Sequence, residues 1–138
     1  MSEFEYDVFI SYSHKDIEWV QKELIPRLKR AKLKFCVDDK DFPTGGVAIV
    51  TMQDSIELSR RTLLVLTPRY MKSEWTEFEM LASRTLDPAA HRRRTIPLLV
   101  EKVKNIPLLL GMLTYADLTR AENKENAWRN LIRSLKPD

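Results

Sequence analysis

One cysteine, three glycines and two histidines in 138 residues remove several classes of chemistry at the outset. A single thiol, Cys36, cannot form an internal disulfide; within Lys34-Phe-Cys-Val-Asp38 it reads as a small core residue of a strand rather than a nucleophile. Two histidines and that one cysteine provide no ligand cluster, so no metal is expected. Neither G-x-G-x-x-G nor G-x-x-x-x-G-K-[ST] occurs, which takes support from a dehydrogenase or an ATPase. Apolar runs such as Thr62–Leu66 and Ile96–Val100 fall far short of a membrane span, and no charged start followed by a long apolar stretch marks a signal peptide. A cytoplasmic protein without a membrane partner is therefore expected.

With 43% hydrophobic and 31% charged residues, the composition is that of one globular domain with one core. The net charge of +3 is modest. His91-Arg-Arg-Arg94 and the lysines and arginines of residues 22–34 could contact phosphate, but clusters of this size read better as solvated faces, and nucleic acid is not an expected partner.

Tyr6–Tyr12 reads as a buried strand, with Ser13 or Asp16 capping a helix in which Ile17, Val20, Leu24, Leu28 and Ala31 recur at helical steps. Pro26 lies inside that pattern and should kink the helix near its middle. Lys34–Asp38 is a second strand. The loop after it, Asp39-Lys-Asp-Phe-Pro-Thr-Gly-Gly46, holds two of the three glycines side by side, where they permit positive φ or close backbone approach. Val47–Leu58 patterns as a helix, Arg61–Thr67 as a strand stopped by Pro68, Met71–Ser83 as a helix and Thr95–Val100 as a strand. Asn105–Met112 is a connection, Leu113–Leu118 an edge strand and Ala121–Leu135 a last helix burying Trp128, Leu131, Ile132 and Leu135. Apolar strands alternating with helices imply a parallel sheet covered on both faces. The expected fold is α/β, a single flavodoxin-like, doubly wound domain with a five-stranded parallel sheet.

In such a sheet ligands bind at the carboxyl ends of the strands where their order reverses. That edge would gather Tyr12 to His14, the loop Asp38 to Gly46 and the start of the helix carrying Trp75 and Glu79. On that helix Met71, Trp75, Phe78 and Ala82 share one stripe, and Glu79 lies about 70° from its centre, one turn beyond Trp75. A carboxylate there either flanks the core or lines a cleft in a partly desolvated place. A phosphoacceptor reading fails on one residue type: Asp38 and Asp39 follow the second strand, but the third ends in Leu66-Thr-Pro68, with no aspartate.

Four stretches in register, Tyr6-Asp-Val-Phe-Ile-Ser-Tyr-Ser13, Asp38-Asp-Lys-Asp-Phe-Pro-Thr-Gly-Gly46, Thr62-Leu-Leu-Val-Leu-Thr-Pro68 and Ser73-Glu-Trp-Thr-Glu-Phe-Glu79, resemble Toll/interleukin-1 receptor (TIR) domains over nearly the whole chain. The resemblance implies a TIR domain spanning 1–138, taken from a longer protein with a sensor or oligomerisation module. It divides into two expectations: scaffolds that assemble through the loop after the second strand, the BB loop, and enzymes that cleave NAD at the nicotinamide glycosidic bond. The spacing Trp75 to Glu79 and Ser73-Glu-Trp-Thr76, where scaffold members often have Ser-x-Trp-Cys, incline it to the NAD-cleaving, bacterial-type branch.

On that resemblance Glu79 is catalytic. Tyr12, Ser13 and His14 sit by the nucleotide, Asp41, Phe42 and Val47 border the nicotinamide, and Trp75 is an aromatic wall or a core residue with equal claim. Asp38, Asp39, Lys40, Pro43, Thr44, Gly45 and Gly46 form the BB loop that gates the site and meets the next copy. Some NAD-cleaving relatives have arginines at the positions of Ser13 and His14 and an acidic residue near Pro43. NAD is substrate, so no cofactor is implied. The implied partners are other TIR domains, in an oligomer or filament, and a fused or separate ligand-sensing module. The implied role is an immune or cell-death effector, antiphage in a bacterial setting, with cyclic ADP-ribose as a second product. A non-enzymatic signalling or virulence adaptor is the alternative, and a nucleic-acid binder using Arg92 to Arg94 a distant third.

Overall fold

Strands that are apolar on both sides have no face to give to water, and the computed structural model covers both. It describes residues 5–37, 57–73, 75, 94–104 and 116–136. The loop Asp38–Gly46, all but the last two residues of the expected helix Val47–Leu58, His91–Arg93 and the connection Asn105–Met112 lie outside them.

The strands β1 (Tyr6–Ser11), β2 (Phe35–Val37), β3 (Ser59–Leu66), β4 (Thr95–Leu99) and β5 (Ala116–Asp117) form one sheet in the order β2-β1-β3-β4-β5. All four pairings are parallel, with Ile10 opposite both Val37 and Leu63, and Leu64 opposite Pro97. This is the doubly wound, flavodoxin-like sheet that the alternation of strands and helices implies. Because side chains alternate across a strand, Val8, Ile10, Leu63, Val65 and Leu98 enter one core cluster, while Phe9, Leu64, Leu66 and Leu99 enter a second on the opposite face.

The first cluster is closed by the chain that follows β1 and by the last helix. After β1 comes a 3-10 turn (His14–Asp16), then α1 (Ile17–Trp19), a π turn (Val20–Leu24) and α2 (Ile25–Arg30). The expected break at Pro26 therefore takes the form of a widened turn upstream of the proline. The N–H of Ile25 reaches the carbonyl of Val20, so the ladder is re-spaced just before the residue that has no N–H to give. Val20, Leu24 and Leu28 are buried against the sheet.

The second cluster is closed by α3 (Pro68–Ser73), through Tyr70, with Met71 and Trp75 packed against it. This helix starts three residues before the expected Met71, because Pro68 opens it as well as ending β3. At the first helical position a proline's missing donor has no intrahelical partner to lose. Of the expected edge strand Leu113–Leu118, Ala116–Asp117 pairs with β4. A 3-10 turn (Ala121–Asn123) then leads into α4 (Lys124–Leu135), which buries Trp128, Leu131 and Leu135 and packs Ile132 in part. Trp128 stacks on Trp19 with ring centroids 6.0 Å apart, and the Arg27 guanidinium lies 4.2 Å from its centroid. At the end of β5, Asp117 accepts hydrogen bonds from the hydroxyl and the N–H of Thr119, at 2.5 and 2.8 Å. The hydroxyl bond leads the causes that hold this carboxyl below the usual aspartate range, with help from the backbone bond and Arg120 and against partial burial. Among the described residues no helix is long and apolar enough to cross a membrane.

The end of α2 carries a strained residue. The N–H of Leu33 bonds the carbonyl of Leu28 and that of Lys32 bonds Lys29, both at 3.0 Å, which is the Schellman pattern. Lys32 occupies its left-handed position with φ of 60°. An L-residue pays about 1–2 kcal/mol there, which glycine avoids at some cost in chain entropy. Lys32→Gly is expected to raise stability by about 0.5–1 kcal/mol, read as a higher urea midpoint at unchanged slope.

Candidate functional site

The chain leaves β1 toward β2 on one side and β3 toward β4 on the other, so the order reverses between β1 and β3. The crevice at their carboxyl ends is where ligands meet such sheets. Polar residues terminate both strands there: Ser11, Tyr12 and Ser13 on β1, Thr67 on β3. Although polar, all four are buried, so each must be satisfied by the protein.

The hydroxyls of Ser11 and Tyr70 meet at 2.9 Å in the interior, joining β1 to α3. Ser13 caps the 3-10 turn by accepting from the N–H of Lys15 at 3.3 Å, and its hydroxyl lies 3.5 Å from that of Ser73. The helix that begins at Pro68 is thus held beside the end of β1 at two points one turn apart.

Asp16 makes no capping bond of its own. Its carboxylate, 6% exposed, reaches across the crevice and takes the hydroxyl of Thr67 at 2.6 Å and Nε of Arg69 at 2.6 Å. The same Thr67 oxygen accepts the N–H of Tyr70 at 3.1 Å, which caps the first turn of α3. Arg69 continues the chain of charge to Glu101, beyond β4, through a second ion pair. The loops after β1, β3 and β4 are therefore tied by two carboxylates, one hydroxyl and one guanidinium. A cavity of about 240 Å³ opens beside this network, between Trp19 and Val100.

Of the residues expected at the site, Tyr12 is 3% exposed and packs in the cluster under α2 and α4, Ser13 is 2% exposed, and His14 is exposed. Trp75 is half-buried and packed against the cluster of Phe9, Leu64, Leu66 and Tyr70, which is the core role of the two expected for it. Tyr12 to His14 and the start of the helix bearing Trp75 are brought to one edge. Glu79, Asp41, Phe42, Val47 and the BB-loop residues Asp38, Asp39, Lys40, Pro43, Thr44, Gly45 and Gly46 lie outside the described residues.

A family model described as TIR domain matches residues 8–132. The chain belongs to the TIR domain family. A crystal structure of the TIR domain of the Toll-related receptor TRR-2 of Hydra magnipapillata is 30% identical, with a TM-score of 0.74, and the likeness covers 96% of this chain and 99% of that one. The Toll protein of Drosophila melanogaster is 34% identical over 106 residues, 75% of this chain and 10% of its own length, so this TIR domain spans about a tenth of that relative. A TIR-STING receptor from C. gigas, solved in complex with 2',3'-cGAMP, is 25% identical with a TM-score of 0.71, over 99% of this TIR domain and 41% of the receptor.

The network around Asp16 predicts a stability loss. Asp16→Asn keeps the shape and an acceptor for Thr67 but removes the charge that faces Arg69. Because Arg69 is 37% exposed, water recovers part of that loss. The variant should be about 1–3 kcal/mol less stable in urea denaturation; an unchanged midpoint would show that the tie between the loops contributes nothing.

Proposed function

We propose that this TIR domain signals by cleaving NAD between nicotinamide and ribose, and that assembly of TIR domains switches the activity on. The observation that carries the reading is the convergence at the carboxyl edge of β1 and β3: the Ser13–Ser73 contact brings the end of β1 to α3, and Trp75 follows on the same helical stretch, four residues before Glu79. Nicotinamide leaves NAD as a neutral molecule, because the electrons of the broken bond quench its pyridinium charge, so no general acid is needed. The ribosyl cation that develops is what a carboxylate must stabilise, and we assign that task to Glu79, four residues after Trp75 in the sequence. Water then bonds to the anomeric carbon and gives up a proton; attack by the adenine ring in its place yields the cyclic product. The TIR-STING receptor supports a sensor module, fused or separate, as the source of assembly, and an immune or cell-death effector role follows from depletion of NAD.

The resemblance to a Toll-related receptor over almost the full chain favours a second reading, a non-enzymatic TIR adaptor that acts through homotypic contacts. Nicotinamide release at high protein concentration under crowding, with the oligomer verified by light scattering, separates the two. The enzyme should release nicotinamide, and Glu79→Ala should lower the rate by about 10²-fold or more while assembling normally. No release from a verified oligomer of the unaltered chain would establish the adaptor.

A further inference from the structure

On the opposite side of the sheet from α3, α2 and α4 border an open groove of about 620 Å³. Arg129 and Arg133 stand one turn apart on α4, Lys136 follows its last residue in extended backbone, and Arg30 faces them from α2. Arg27 is already engaged, with Glu23 at 3.3 Å and with the Trp128 ring. Among the described residues no carboxylate pairs with Arg30, Arg129, Arg133 or Lys136. Ala31 and Ile132, both half-buried, give the floor its accessible apolar surface, with the covered Trp128 beneath. Four cations around one groove repel each other over less than a screening length, and an acidic occupant relieves this.

We propose that this groove docks an acidic, amphipathic segment of a partner protein, its apolar residues on the floor and its carboxylates between the two basic rims. This is a site separate from the NAD crevice and does not rest on that reading. An apolar floor between charged rims is the form that helix-in-groove recognition takes. A nucleic acid fits less well: Trp128 is 4% exposed, so no base can stack on it. Glu125, at the amino-terminal end of α4, would repel phosphate, whereas it offers a protein segment a place for one basic residue and so sets its direction. A second copy docking by two-fold symmetry would bring the basic stripe against itself.

The test is fluorescence anisotropy of a labelled synthetic peptide, roughly four helical turns long with glutamates on one face and leucines on the other, titrated with the full chain. Binding should weaken with salt, fall about 30-fold in the Arg30→Glu/Arg133→Glu double variant, and fall about tenfold when serines replace the leucines. If the double variant does not fold by circular dichroism, the exposed Arg129→Glu replaces it with the same readout. The proposal is overturned if the peptide does not bind, if the serine peptide binds equally well, or if the charge reversals leave affinity unchanged. It is also overturned if a duplex RNA binds more tightly at this face, or if the reversals abolish a self-association seen by sedimentation.

Discussion

The hydroxyl of Thr67 has two duties, and much of this molecule's carboxyl edge depends on both. It accepts the N–H of Tyr70, which starts α3 directly after β3, and it donates to Asp16, which holds the first turn after β1 against that start. Without the Thr67–Asp16 bond, the described side-chain ties between the two loops flanking the switch point are Ser11–Tyr70, Ser13–Ser73 and Asp16–Arg69. Buried polar groups at the ends of parallel strands must find partners within the protein, and Ser11, Ser13 and Thr67 find theirs on Tyr70, on Lys15 and Ser73, and on Asp16.

The two faces of the sheet are built differently among the described residues. Under α3 the described core residues are rich in aromatics, Phe9, Tyr70 and Trp75 packing with Leu64 and Leu66, and the crevice lies at its rim. Under α2 and α4 the described core residues are mostly aliphatic, and the outer surface gathers arginines around Trp128. The proposed substrate crevice and the proposed docking groove lie on opposite faces, so each can be altered without disturbing the other. The fold makes this separation cheap, because alternation along β1 and β3 commits neighbouring side chains to opposite clusters.

The sheet, its strand order and the last helix were legible because continuous apolar runs and helical spacing are local signals, and Trp128, Leu131 and Leu135 fall where their steps put them. The early start of α3 was also encoded: Thr67-Pro68 is a cap followed by a first-turn proline, but the same proline terminates β3, and the stop signal masked the start. Of the two residues whose spacing offers a cap, Ser13 takes that local role and Asp16 does not. Its actual partners lie 51 and 53 residues away, and no periodicity reports a contact of that range. The π turn before Pro26 was half legible, since the proline announces a break and the sequence does not say how the ladder will absorb it. Tyr12 was placed at the correct edge, but the face it turns to depends on where α2 and α4 pack.

The measurement that bears most directly on the crevice as the working site is a backbone NMR titration of the chain with NAD. Shifts should concentrate at Ser13, His14, Ser73 and Trp75, with the α4 amides around Arg129 and Arg133 unmoved. Shifts confined to α4, or none at saturating NAD with the assembled protein, would contradict a nucleotide site between β1 and β3.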